Sequence, residues 1–397
     1  MTKKISTPSL LLFIILVGFP QISETIYTPS LPDISQALGV SSNIIQLTLS
    51  LYFFGFALGV FFWGRLSDVI GRRPALLWGI FIYGAGSLGC YLSNAVEWLL
   101  VSRFVQAFGA STGSVVTQAI LRESIDGGRR HAVFAQISAA LAFTPAIGPL
   151  LGGFIDQALG FRAVFFTLVV MGVLVFVYTW RALPETRLSV TSKSSVSLVA
   201  KRMARDQRVW LFGLLIGITN GILFSYYAEA PFIYMEFFHM TPGVFGFFGV
   251  FVALASIIGA LLSKKLLQKL SAELIIYVGS LVTALGAGSL TALVLIGLDS
   301  SILSLVLLVS CVFILLMGIG MAIPNGLSLA LVHYHDTQGT AGAIFGLSYY
   351  FLVSFITTGM SYLHNGMLLP MPMYFLLLAL VMIVVSYKLM IPPNTMK

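Results

Sequence analysis

Twelve apolar stretches recur along the chain, at about 9–31, 42–64, 74–94, 98–120, 132–157, 161–181, 209–236, 243–263, 273–297, 301–332, 340–364 and 371–391. A helix that crosses a bilayer needs about 20 apolar residues, and every stretch reaches that length. Lipid offers no hydrogen bonds to an exposed backbone, so apolar segments of this kind fold as helices. Short polar connections separate them, with one exception at 182–208. That segment divides the chain into 1–181 and 209–397, with six candidate spans on each side. The pattern predicts an all-α polytopic membrane protein, two six-helix bundles joined by a linker. A shift of 211 residues places Gly109 on Gly320, Ala119 on Ala330, Ala132 on Ala343, Phe134 on Phe345 and Gly148 on Gly359, a modest sign of an internal repeat.

Composition agrees, since 58% of residues are hydrophobic and 9% charged, against about 25% charged in a soluble domain. The net charge of +8 would suggest nucleic acid in a soluble protein, but its location gives it another meaning. With the N-terminus in the cytoplasm, every Lys and Arg lies on the cytoplasmic side except Arg162, outside, and Arg103, within the fourth span. Positive charge is retained on that side. Both termini and the linker are therefore expected in the cytoplasm of a bacterial inner-membrane protein, with the lipid bilayer and no nucleic acid as its surroundings. The outer loops are read as carrying Asp33, Glu97, Asp156, Glu236 and Asp299. Lys3 and Lys4 before an apolar run imitate a secretory leader, yet no small-residue cleavage site precedes Glu24, so this is expected to be the first retained helix. Cys90 and Cys311 sit in apolar stretches as core thiols, and no metal site is expected.

Three features carry chemistry. The segment from Gly64 to Pro74, which includes Asp68, Gly71, Arg72 and Arg73, has the glycines and proline of a tight inter-helix loop, and Asp68 can accept from an arginine or a helix start. Around Pro145-Ala146-Ile147-Gly148-Pro149, Gly148 and Gly152 lie four apart on one helix face, where another helix can approach closely, while the prolines remove backbone donors. Glu24, Arg103 and Glu229 are charges within spans, each costing about 2.5–3.5 kcal/mol at the centre of an inserting helix unless partnered. At about 1.5 Å per residue all three fall in the outer half. Gly109-Ala110-Ser111-Thr112-Gly113 satisfies a nucleophile-elbow pattern, but it lies in mid-helix without a nearby histidine. It is read as small residues for packing, and the chain as no enzyme. No phosphate-cradling loop with its lysine occurs, so ATP is not expected to supply energy.

The 64–74 segment resembles motif A of the major facilitator superfamily, with Val69 where a basic residue is usual. Arg103-Phe104-Val105-Gln106 resembles the family's fourth-helix motif, and residues 142–153, with Pro145, Gly148, Pro149, Gly152 and Gly153, resemble motif C, the mark of its antiporters. Glu24-Thr25-Ile26-Tyr27-Thr28-Pro29-Ser30-Leu31-Pro32, Ala230-Pro231-Phe232, Pro324-Asn325 and Gly339-Thr340-Ala341-Gly342-Ala343 are similar to segments of its Bcr/CflA-type drug:proton antiporters. Many of those have an aspartate where Thr25 stands here. The resemblance implies the major facilitator fold around a central cavity, and a monomer that exchanges protons for a small-molecule substrate without a cofactor other than the proton gradient.

On that basis Asp68 and Arg72 are expected to latch the halves on the inside. Glu24, Arg103 and Glu229 are expected to form a coupling core, with Glu24 the proton carrier. Tyr27, Gln106, Tyr226, Tyr227, Phe232 and Asn325 are candidates to line the cavity. Export of a specific metabolite or siderophore, import by the same fold, or a non-transporting receptor are the competing readings. The topology has a direct test. In intact cells, a cysteine at Ser194 should resist an impermeant thiol reagent added outside and react only after the membrane is opened.

Overall fold

A computed structural model describes residues 8–125, 133, 136–186 and 195–391. The termini, Ser194 and the middle of the linker lie outside the described residues. Among the described residues, twelve helices have the length and hydropathy to cross a membrane: α1 Leu10–Leu38, α2 Ser42–Ile70, α3 Arg72–Leu92, α4 Val96–Ser124, α5 Gln136–Leu159, α6 Phe161–Ala182, α7 Gln207–Phe237, α8 Pro242–Leu266, α9 Ala272–Ile296, α10 Ile302–Tyr334, α11 Gly339–Leu363 and α12 Pro370–Met390. The chain is thus an all-helical, multi-pass membrane protein. A short amphipathic helix, Val196–Ala204, buries Val199 and Met203 ahead of α7. Hydroxyl side chains start several spans, as where Ser9 accepts from the Leu12 N–H at 3.2 Å, satisfying a donor that the first turn leaves unbonded.

Two boundaries differ most from the pattern reading, each for a local reason. The first span does not stop near residue 31. The chain makes a 3-10 turn at Thr28–Ser30, with the Thr28 hydroxyl donating to Thr25 O at 2.8 Å, and runs on to Leu38. Pro29 and Pro32 fall in the first turns of new helical segments, where a missing N–H costs nothing. Asp33 is consequently in a helix rather than a loop, as are Asp156 in α5 and Glu236 in α7. The second span continues to Ile70, so Gly64 is a helical packing residue facing Val115 and Ala343, and the turn to α3 is made by Gly71 alone, at φ 105°. Only glycine takes that conformation without strain.

Equivalent helices pack alike in the two halves. In the first, α4 packs on α2 and α3, and α3 on α6; in the second, α10 packs on α8 and α9, and α9 on α12. Glycines permit these approaches. A methyl group on Gly109 would lie 2.3 Å from Tyr83 N, and one on Gly318 would lie 2.5 Å from Gly279 O. Gly109 and Gly113 therefore serve contacts with α3 and α1, which accounts for the nucleophile-elbow pattern. Buried apolar side chains form two clusters. One runs from Val199 to Leu389, and the other from Leu12 to Leu183 with Ala228, Phe232 and Val353 added.

The halves meet through α2 against α11 and α5 against α8. The first contact is aromatic, with Phe53 and Phe56 against Tyr350 and Phe54 against Phe351. The second brings the two backbones together at glycines, with Phe154 packed on Phe247 beside them. Cβ atoms at Gly153 and Gly246 would lie 2.2 Å from Pro242 O and 2.7 Å from Pro149 O. On its other face, α5 sets Gly148 and Gly152 against Thr25 and Ile26 of α1, and a methyl at Gly152 would lie 1.6 Å from Ile26 O. Gly152→Ala should therefore force α1 and α5 apart and cost on the order of 1–3 kcal/mol. Thermal unfolding of the detergent-solubilised protein measures this, with Gly84→Ala, whose new methyl meets nothing within 4 Å, remaining as stable as the parent.

Candidate functional site

Arg103 of α4 is completely buried. Its guanidinium lies between the rings of Tyr27, 3.9 Å away, and Tyr52, 4.3 Å away, and donates through Nη1 to Gln106 Oε1, one helical turn along. Gln106 Nε2 donates to Ser87 Oγ at 2.8 Å, and the Tyr27 hydroxyl shares a 3.1 Å hydrogen bond with Thr48. The amide is thus oriented by α3 and the tyrosine by α2. Magnitudes explain why the charge stays inside. Insertion costs about 2.5–3.5 kcal/mol, while desolvated cation–π contacts contribute about 2 kcal/mol each and a hydrogen bond from a charged donor about 1.5–3 kcal/mol. Three such interactions outweigh the cost.

The guanidinium is not fully used. Nε and Nη2 are buried and make no hydrogen bond among the described residues. Glu24, 94% buried on α1, lies within electrostatic range of Arg103 and of Tyr52, Tyr349 and Tyr350. Among the described residues its carboxyl group makes neither a hydrogen bond nor an ion pair. A spare acceptor and two spare donors therefore sit where the first half faces the tyrosines of α11. An aromatic wall continues from this point, since Phe53 packs at a tilt on Phe224 of α7 at 4.3 Å and Tyr349 on Tyr350 at 4.3 Å.

Glu229 does not join this group. It is 98% buried near the end of the bundle opposite the Gly71 turn, where Gln46 Nε2 of α2 donates to it at 2.7 Å and His364 Nδ1 lies 2.9 Å from both carboxylate oxygens. Depth along the helices set the three charges at similar levels, but azimuth on α7 turns Glu229 toward the start of α2. The remaining candidates divide. Tyr227 reaches across the halves, its hydroxyl donating to Pro145 O at 3.2 Å. Pro149 is the cause, because it lacks the N–H that would occupy the carbonyl four residues earlier. Phe232 packs its ring 5.2 Å from that of His364. Tyr226 bonds Tyr234 inside the second half, and Asn325 joins α10 to α8 through Ser263 at 2.7 Å; both side chains are spent within their own bundle.

At the Gly71 turn, Arg72 binds Asp68 at 2.6 Å, Ser67 at 2.7 Å and Glu123 of α4 at 2.6 Å. Glu185, just beyond α6, accepts from the backbone N–H groups of Arg72 and Arg73 at 2.9 and 3.1 Å, placing a carboxylate at the positive end of α3. Arg73 also donates to Trp180 O at 2.7 Å. Among the described residues, the partners of Asp68 and Arg72 belong to the first half, apart from Glu185 of the linker, and none belongs to the second half. Glu123, Glu185, Gln46, His364, Ser87 and Tyr52 were not singled out from the sequence. Their partners are distant in the chain, so no spacing could reveal them.

A profile of the Major Facilitator Superfamily matches residues 13–358. The chain belongs to that superfamily. Among its relatives, an uncharacterized transporter of Rickettsia bellii (strain RML369-C) is 33% identical over 93% of both chains. A chloramphenicol resistance protein of Pseudomonas aeruginosa is 32% identical over 91% of this chain and 85% of its own. The solved D-xylose-proton symporter superimposes with a TM-score of 0.76 over 94% of this chain and 96% of that one, at 14% identity, a likeness of fold alone. This facilitator is accordingly a transporter and not an enzyme. Arg103→Lys keeps the charge but loses the flat guanidinium that both rings clasp. Transport by reconstituted protein should fall to near the level of protein-free liposomes, while Arg162→Lys, at an exposed arginine, should leave it intact.

Proposed function

We propose that this facilitator is a proton-coupled antiporter of the Bcr/CflA drug:proton type, which exports small amphipathic compounds across the bacterial inner membrane by alternating access. The observation that carries the reading is that, among the described residues, buried Glu24 has no hydrogen bond and buried Arg103 has two unused nitrogens, beside tyrosines of the opposite half. Ionised Glu24 is held by the guanidinium's charge. Protonation neutralises it and leaves the arginine free for an acceptor group on the cargo, so proton and cargo compete for one site. Desolvation disfavours the charged carboxyl and Arg103 favours it, and that balance allows a proton to load and leave. The aromatic wall around Phe53, Phe224 and Tyr350 suits flat, lipophilic molecules. The motif C segment, with α1 and α8 on its two faces, and the name of the Pseudomonas aeruginosa relative favour export. The distribution of Lys and Arg supports an inner-membrane orientation in which the Gly71 turn faces the cytoplasm. The chain acts as a monomer with protons, lipid and a small molecule as its partners, and no cofactor.

Everted membrane vesicles test the exporter and its coupling together. An imposed proton gradient should drive accumulation of a lipophilic dye such as ethidium into vesicles that hold the parent protein. Glu24→Gln should reduce this to the rate of vesicles lacking the protein, while detergent-purified variant still elutes as the folded form. Gradient-driven uptake that survives in Glu24→Gln with an unchanged pH dependence sinks the assignment of the proton carrier.

A further inference from the structure

Glu229 lies deep in α7, and its bonds do not serve the Arg103 group. Gln46, which donates to it, belongs to the first half, whereas Glu229 and His364 belong to the second. The hydrogen bond from Gln46 therefore ties the halves together at the end opposite the Gly71 turn, the end at which, in the α5–α8 contact, the Gly243 N–H donates to Gln157 at 3.0 Å. His364 is the C-cap of α11, its backbone N–H bonded to Met360 O at 3.0 Å, so the ring is held by the end of a helix whose face packs on α2.

We infer that Gln46, Glu229 and His364 form a second proton-binding site, separate from Glu24, that latches the two halves shut at the far end while its proton is bound. A buried carboxylate is tolerated only where charge and hydrogen bonds replace water. With the imidazole protonated, Glu229 has a cationic donor from His364 and an amide donor from Gln46. When the ring loses its proton, the carboxylate keeps only neutral donors and loses the opposite charge beside it. It is then better solvated by water, which reaches it only if the halves separate. Two acids face the ring, Glu229 and Glu236, both from α7; α2, the first-half helix packed there, contributes the neutral Gln46.

The position of His364 just past the end of α11 fits this role. Burial lowers the basicity of the ring, but its hydrogen bond to Glu229 and the charges of Glu229 and Glu236 outweigh that, so it holds its proton above the ordinary imidazole range. The sign of the effect follows. The closed latch is fully favoured below the ordinary imidazole value and is lost as pH rises through the higher closed-state value. The ratio of closed to open forms changes about tenfold for each unit by which closure raises the ring.

Spin labels report the latch without any transport measurement. They are placed at Leu159→Cys on α5 and Ile302→Cys on α10, both exposed, in a Cys90→Ala, Cys311→Ala background. Distances are then measured from about pH 5 to about pH 8. The short-distance population should dominate in acid and decline as pH rises, both in the parent and in Glu24→Gln. In His364→Gln it should no longer respond to pH, and in Gln46→Ala it should shift to longer distances at every pH. Persistence of the parent's response in His364→Gln, its loss in Glu24→Gln, or a pH-independent parent would each overturn the latch. Should His364→Gln fail to fold, Gln46→Ala decides, and a parental distance distribution in that variant refutes the proposal. None of these outcomes depends on the exported compound or on the direction of transport.

Discussion

A guanidinium inside a bilayer must be surrounded by groups that replace the water it has left, and that requirement organises the first half of this molecule. Four helices contribute to the enclosure of Arg103. α1 and α2 supply the two rings, α4 supplies Gln106, and α3 supplies the serine that orients the amide. The helices must approach within contact distance for such short side chains to reach, and glycines make that possible, as at Gly86 of α3, where a methyl would lie 2.4 Å from Gln106 N. Tight packing and polar satisfaction are therefore one constraint, and loosening either exposes an unpaired charge to lipid.

The same requirement appears in two other settings. Arg72 is met by three oxygen-bearing side chains and a nearby third carboxylate, a dense network at an end of the bundle where water can also reach Asp68. Glu229 is met by one amide and one imidazole. The three charges are thus stabilised in different ways, by ring faces, by opposite charge and by a titratable base. Only the last changes its character within the physiological range of pH.

Much of the fold was legible in the sequence because the exclusion of bare backbone and charge from lipid, which dominates its energetics, acts locally along the chain. The twelve spans emerged within a few residues except where special turns intervened, at Thr28–Ser30 and Gly71. There a proline or a glycine permits a helix to resume rather than end, and hydropathy cannot distinguish the two outcomes. Of the site, the buried charges and the glycine–proline segment of α5 were readable, since each is anomalous for its surroundings. Their partners were not. Gln46 is an ordinary amide near a helix start, and His364 follows a span end. What makes them matter is the side of the bundle to which they turn. That is set by helix rotation, which depends on side chains throughout the interface. Pro149 shows the opposite case, because the carbonyl it frees at Pro145 is predictable from covalent structure, though not the tyrosine that takes it.

The adjacent glycines of α5 have a mechanical consequence. Gly152 seats against α1 of its own half, and Gly153, about 100° around the helix at 3.6 residues per turn, faces α8 of the other. One face is thus keyed into a neighbour while the next, at Gly153, brings bare backbone against the opposite half. Interdigitated side chains resist shear, as teeth do, because they must change rotamer before they can pass one another. A surface without them behaves as a plain bearing, along which displacement meets little friction. Along the α5–α8 contact, displacement is then resisted mainly where polar groups part, as at Gly243 and Gln157, whereas the aromatic α2–α11 contact must repack its rings.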